Sequence, residues 1–186
     1  GLLKAYCKGA FAVLEAQKAS FLKKYPDAQY PCDTGVFSAA TLELGGPRRR
    51  DDMAERVDPA TWTILTPLGK YDSSKGGGGL ILWDFGLVAT LPAGCPVMIP
   101  AGLVRYSFVR VKANETRYSL VQWAGSGIRR FIENGEVTDA EFALNATREQ
   151  HLARERARAT THTTALENFP IEKMLPRGYH EFEYRG

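Results

Sequence analysis

The stretch Gly76–Trp123, GGGGLILWDFGLVATLPAGCPVMIPAGLVRYSFVRVKANETRYSLVQW, decides the fold. Its short β-rich runs are separated by Gly and Pro at intervals of roughly ten residues, the spacing of an all-β meander or barrel. Four strands are predicted within it. Leu80 to Asp84 continues past Gly86 towards Thr90, and Cys95 to Ile99, Leu103 to Val111 and Thr116 to Trp123 follow. Leu91-Pro92-Ala93-Gly94, Pro100-Ala101-Gly102 and Lys112-Ala113-Asn114-Glu115 supply residues suited to reversing the chain between them. The expected product is a curled antiparallel sheet with an interior.

Working outward, Val36 to Leu44 and Trp62 to Pro67 read as two further strands. Leu2, Leu3, Tyr6, Ala10, Val13, Leu14, Phe21 and Leu22 recur near helical spacing with lysines between them, which predicts an amphipathic N-terminal helix over 1–25 that covers the sheet from outside. Thr138-Asp139-Ala140-Glu141 has the form of a capping box and opens a helix expected to run to about Ala159. The segment Ile128 to Asn134 is mixed and ends at Gly135. The tail from Asn168 to Gly186 carries Phe169, Tyr179, Phe182 and Tyr184, which suits packing onto the domain better than a floating linker. Four consecutive glycines at Gly76–Gly79 lack the GxxxxGK[ST] pattern of a phosphate-binding loop and mark either mobility or close backbone approach.

The sequence has 186 residues, 44% of them hydrophobic, which fits one well-buried core. A single domain is expected, with its β core over 36–135 and a C-terminal helix and tail over 138–186. No apolar run approaches the ~20 residues of a membrane span, and Gly1 to Ala10 lacks the long apolar run of a signal peptide. The three cysteines, Cys7, Cys32 and Cys95, form neither a disulfide framework nor a CxxC metal motif. Despite two sequons at Asn114 and Asn145, this favours an intracellular setting over a secreted one. A net charge of +3 is too mild to call for nucleic acid by bulk electrostatics. A local patch, Arg48-Arg49-Arg50 after Gly45-Gly46-Pro47, reads either as a solvated loop or as a phosphate-contacting loop at the mouth of the sheet.

Several landmarks recur in order. Phe37-Ser38-Ala39-Ala40-Thr41, Trp62-Thr63-Ile64-Leu65-Thr66-Pro67-Leu68-Gly69, Gly77-Gly78 with Leu80-Ile81-Leu82-Trp83-Asp84, Leu91-Pro92-Ala93-Gly94, Ile99-Pro100 and Glu115-Thr116-Arg117-Tyr118-Ser119 are similar to a fungal family. That family resembles the TET/JBP-type branch of the iron- and 2-oxoglutarate-dependent dioxygenases. The resemblance covers about Phe37 to Gly135 and implies a mainly β, α+β fold: a double-stranded β-helix, jelly-roll or cupin-like, with the active site inside the barrel and helices at both ends.

Such enzymes hold ferrous iron with two histidines and a carboxylate. By the resemblance, the expected HxD motif falls near Asp52-Met53-Ala54, so Asp52 stands at the His position and Ala54 at the Asp position, while the distal His position is Tyr106. The only histidines, His151, His162 and His180, lie beyond the sheet. An alternative alignment on the second cupin motif, through Gly94, Pro100 and Gly102, puts Arg105 at the metal-binding position. Either way a metal site is not expected. What survives is Arg117-Tyr118-Ser119, the RxS form that binds the distal carboxylate of 2-oxoglutarate in that superfamily. The bland alternative is that Arg117 makes a strand salt bridge with Glu43 or Asp84.

Two classes of function follow. The first is a non-catalytic barrel that binds a small carboxylate, a nucleic acid or a partner protein through Arg117, Ser119, Tyr106, Arg105 and Trp83, aided by Arg48–Arg50 and by aromatics such as Tyr71 that read as exposed. The second is an enzyme with altered chemistry. It would use either a carboxylate metal site from Asp52, Glu55 and Asp84, suited to magnesium or manganese, or Tyr106 as general acid or base. Metal-free binding of 2-oxoglutarate without turnover separates the first from the second.

Overall fold

The computed structural model describes residues 1–44 and 56–166. Its strands are β1 (Ala39–Leu44), β2 (Thr63–Lys70), β3 (Leu80–Leu82), β4 (Leu87–Ala89), β5 (Val97–Ile99), β6 (Tyr106–Phe108) and β7 (Thr116–Trp123). One sheet has the order β1-β7-β2-β5 and the other β4-β3-β6, and every pairing is antiparallel. The chain passes from the first sheet to the second after β2, returns at β5, leaves again at β6 and returns at β7 beside β1. This interleaving is that of a jelly roll. The mainly antiparallel α+β architecture expected from the sequence is therefore the one observed.

The two-residue period of a strand explains where the core sits. On β2, Thr63, Leu65 and Pro67 are fully buried and face the three-stranded sheet; on β7, Ser119 and Val121 are their fully buried neighbours in register. Leu80, Phe108, Tyr106, Leu91 and Ile99 complete this inter-sheet core. The opposite face of the larger sheet carries Ile64, which packs with Leu3, Cys7, Ala10 and Leu14 from helices α1 (Leu2–Tyr6) and α2 (Lys8–Lys24), as well as Phe37. The N-terminal helical segment thus covers the sheet from outside, as its lysine-punctuated apolar face implied.

The expected elements differ from the observed ones where local hydrogen bonding overrode pattern. The N-terminal helix is interrupted at Cys7, whose φ of -135° is not helical. Leu80–Thr90 is not one strand: a 3-10 turn over Trp83–Phe85 ends in left-handed Gly86 and folds it into the β3–β4 hairpin. The mixed segment after β7 is helix α3 (Ser126–Glu133). The Thr138 capping box forms as read, with its hydroxyl accepting from the Glu141 N–H at 3.2 Å. The helix it opens, α4 (Asp139–Asn145), stops early because a second capping box starts α5 (Arg148–Leu166). There the Thr147 N–H donates to Gln150 Oε1 at 2.7 Å, and the Gln150 N–H donates to Thr147 Oγ1 at 3.3 Å. Thr147-Arg148-Glu149-Gln150 carries this signal in plain view. The expected tail lies outside the described residues.

Candidate functional site

β7 begins at Thr116, so its alternation puts Arg117, Ser119 and Val121 on one face, looking between the sheets. The guanidinium of Arg117 lies over the Phe108 ring, its carbon 3.6 Å from the centroid. Its Nη1 donates to Ser119 Oγ at 2.8 Å and its Nε to the Gly78 carbonyl at 3.3 Å. Nη2 is buried and has no hydrogen-bond acceptor among the described residues. Burial pushes the Arg117 pKa below its ordinary value. Tyr71 forms the adjoining wall, its hydroxyl donating to the Leu91 carbonyl at 2.6 Å. Its pKa is raised by burial, with the Arg117 charge pulling it back.

Two glycines make this approach feasible. Gly69 pairs with Arg117 across the sheet at a φ of 109°, and a Cβ there would sit 2.4 Å from the Thr116 carbonyl oxygen. Gly78 has a φ of 69°, and a Cβ on it would meet the Tyr71 ring at 2.6 Å and Arg117 Cδ at 3.1 Å. Gly78 therefore serves close packing against the site, the second of the two readings the glycine run allowed, while Gly76 stands in open space.

No carboxylate among the described residues forms an ion pair with Arg117. The salt bridge to Asp84 is excluded because Asp84 is held by Arg105, whose backbone N–H and Nε donate to its two oxygens at 2.6 and 2.8 Å. Glu43 stands opposite Ser119 in the β1–β7 register. The Arg105 and Asp84 pair is exposed, and these hydrogen bonds to Arg105 hold the Asp84 carboxyl below the usual range. Arg105 is thus tied down away from the Arg117 cluster.

The other named residues divide sharply. Tyr106 is 5% exposed, its ring edge-on to Phe108 at 5.9 Å, so it fills the barrel interior rather than presenting itself at a mouth. Tyr71 is half-buried. Trp83 is 56% exposed, with its indole N–H on Ser107 Oγ at 3.0 Å, on the outer face of the smaller sheet. Of the residues singled out, Arg117, Ser119 and Tyr106 come together through Phe108; Arg105 and Trp83 do not join them. Arg48, Arg49, Arg50, Asp52 and Ala54 lie outside the described residues. Among those described, no three His, Cys, Asp or Glu side chains converge as a metal site. His151 packs against Phe142 at 5.3 Å, remote from the barrel interior. On α5, Arg154 pairs with Asp139 and covers the Phe142 ring, so part of that basic face is structural. No described helix is long and apolar enough to cross a membrane.

One polar pair escaped the sequence reading. Asp58 is fully buried, accepts from the Ala60 N–H at 3.0 Å and pairs with Arg129 Nε of α3 at 3.1 Å. Burial pushes its carboxyl up, while the Ala60 N–H and Arg129 pull it down. The Asx-turn sequence Asp58-Pro59-Ala60 was the available signal, but nothing local pointed to a partner so far along the chain.

No protein-family model and no curated protein matches the sequence. Among solved structures, NgTET1 in complex with 5mC DNA aligns with a TM-score of 0.43 and 15% identity. The alignment covers 57% of this chain and 40% of that one, so the chain spans less than half of NgTET1 as solved.

Proposed function

We propose that the barrel binds a small carboxylate ligand of the 2-oxo-dicarboxylate type, 2-oxoglutarate being the reference compound, and that it binds rather than oxidises. The observation that carries this reading is Arg117: a half-buried guanidinium beside the Tyr71 hydroxyl, with its buried Nη2 making no close hydrogen bond and no carboxylate partner among the described residues. A buried cation without a counter-ion is costly, and an incoming carboxylate would relieve that cost by accepting from Nη2. Ser119 Oγ and Tyr71 Oη are the hydroxyls beside it. Phe108 fixes the plane of the guanidinium and restricts the direction from which a ligand oxygen can arrive.

Ferrous iron does not fit the donors among the described residues. The inward position at the start of β6 is Tyr106, the barrel strands contain no histidine, and the nearest acidic group on β3–β4, Asp84, is committed to Arg105. The chemistry supported is electrostatic capture of an anion beside the Phe108 ring and the Ser119 and Tyr71 hydroxyls, without bond cleavage. The resemblance to TET/JBP-type enzymes fits a domain that keeps the oxo-acid end of such a site and has dispensed with the metal end.

The test is calorimetric titration of the 186-residue protein with 2-oxoglutarate, with and without manganese, followed by assay for succinate with ferrous iron and oxygen. Metal-independent binding with no succinate supports the proposal. Iron-dependent succinate formation would move the protein to the enzyme reading.

A further inference from the structure

β4 is an edge strand. It pairs with β3 on one side and with no described strand on the other, and all three of its residues are exposed. Native sheets protect such edges with lysine, proline or a bulge placed on the strand. Here the protection is missing: no charged residue occurs between Asp84 and Arg105, and those two neutralise each other. Trp83, Phe85, Leu87 and Val88 are 56%, 61%, 48% and 63% exposed along this hairpin. Together they show roughly 400–500 Å² of apolar surface, at the upper end of what a lone monomer presents.

We propose that β4 pairs antiparallel with β4 of a second copy, across a two-fold axis at Val88, joining the two small sheets into one of six strands. This stands apart from the carboxylate reading and does not depend on it. Three observations favour a second copy over another occupant. An open strand edge is complementary to another strand edge, since each needs the donors and acceptors the other displays. The strand is uncharged, so an isologous contact, which brings every group against its own kind, meets no like-charge repulsion. Finally, with Val88 at the axis, Leu87 faces Ala89 of the partner copy, and the exposed Phe85 is carried towards the far end of the partner strand. Two such patches bury at most about 800–1,000 Å², at the threshold of a specific interface, so a weak dimer is expected.

Sedimentation velocity on the full chain, from about 5 to about 500 µM, reads the outcome. The expected result is a shift from monomer to dimer mass over that range. Val88→Lys should weaken it at least about tenfold, with unchanged circular dichroism and thermal midpoint. In a Cys32→Ser/Cys95→Ser background, Val88→Cys should give a disulfide-linked dimer on treatment with diamide, which takes up the two thiol hydrogens; cross-strand neighbours lie within disulfide range. Monomer at every concentration, including the case in which only an added peptide or nucleic acid occupies the patch, would overturn the proposal. So would a dimer indifferent to Val88→Lys.

Discussion

Arg129 and Arg117 are both largely withdrawn from water, and their surroundings differ in one respect. Arg129 meets a carboxylate on each side, Asp58 at 3.1 Å and Glu133 at 2.6 Å. Arg117 meets a hydroxyl, a carbonyl and an aromatic face, with no carboxylate among the described residues. The first arrangement is neutralised in charge, with Asp58 Oδ1 taken by Arg129 and Oδ2 buried without a hydrogen bond among the described residues, and it ties α3 to the loop before β2. The second has a donor left over, inside a barrel. A buried charge that is already neutralised serves the architecture; the one without a carboxylate partner is where we propose that a ligand docks.

Arg129→Met should be the most damaging, lowering stability by about 3–5 kcal/mol, because it leaves the fully buried Asp58 without its cation; urea unfolding measures this. The paired change Asp58→Asn/Arg129→Met should recover much of that loss, and failure to do so would break the assignment of the pair as architecture. Gly78→Ala comes next, at roughly 1–3 kcal/mol, since it combines a left-handed backbone with a clash against Tyr71, and it should weaken ligand binding along with stability. Ser119→Ala removes one hydroxyl from the site and should cost about 1 kcal/mol, close to fivefold in affinity for 2-oxoglutarate, by calorimetry.

The smallest effect is a pH dependence. Burial raises the Asp58 pKa above that of the unfolded chain. The folded state therefore keeps this proton where the unfolded chain has already released it. Its contribution to stability is full below the ordinary aspartate range and falls as pH rises through the raised pKa. The stability of the parent protein relative to Asp58→Asn should thus decline from about pH 4 towards neutrality. A relative stability that instead rises with pH would show that Arg129 outweighs desolvation, which would sharpen the contrast with Arg117.

Much of this was legible in the sequence. The alternation and turn chemistry of Gly76–Trp123 led to an antiparallel, curled sheet, and Thr138 led to a capped helix where one stands. Arg117 and Ser119 could be placed on one face from their spacing alone. What eluded the reading depended on contacts remote in sequence or on competing local bonds. Tyr106 reads as exposed from the sequence, and only the fold shows Phe108 beside it and its ring buried. The pairing of Arg105 with Asp84 depends on the β3–β4 turn, which brings together residues 21 apart. Strand pattern carried Leu80 through Thr90, but left-handed Gly86 folds the run back on itself and leaves its apolar side chains outside.

The measurement that bears most directly on the central claim is titration of 2-oxoglutarate into the parent protein and into Arg117→Met, with urea unfolding of both. Metal-independent binding to the parent is expected, with at least about tenfold loss in Arg117→Met and stability unchanged to within about 1 kcal/mol, because no described carboxylate is orphaned. Equal binding by the two proteins, or destabilisation of Arg117→Met on the scale expected for Arg129→Met, would contradict it.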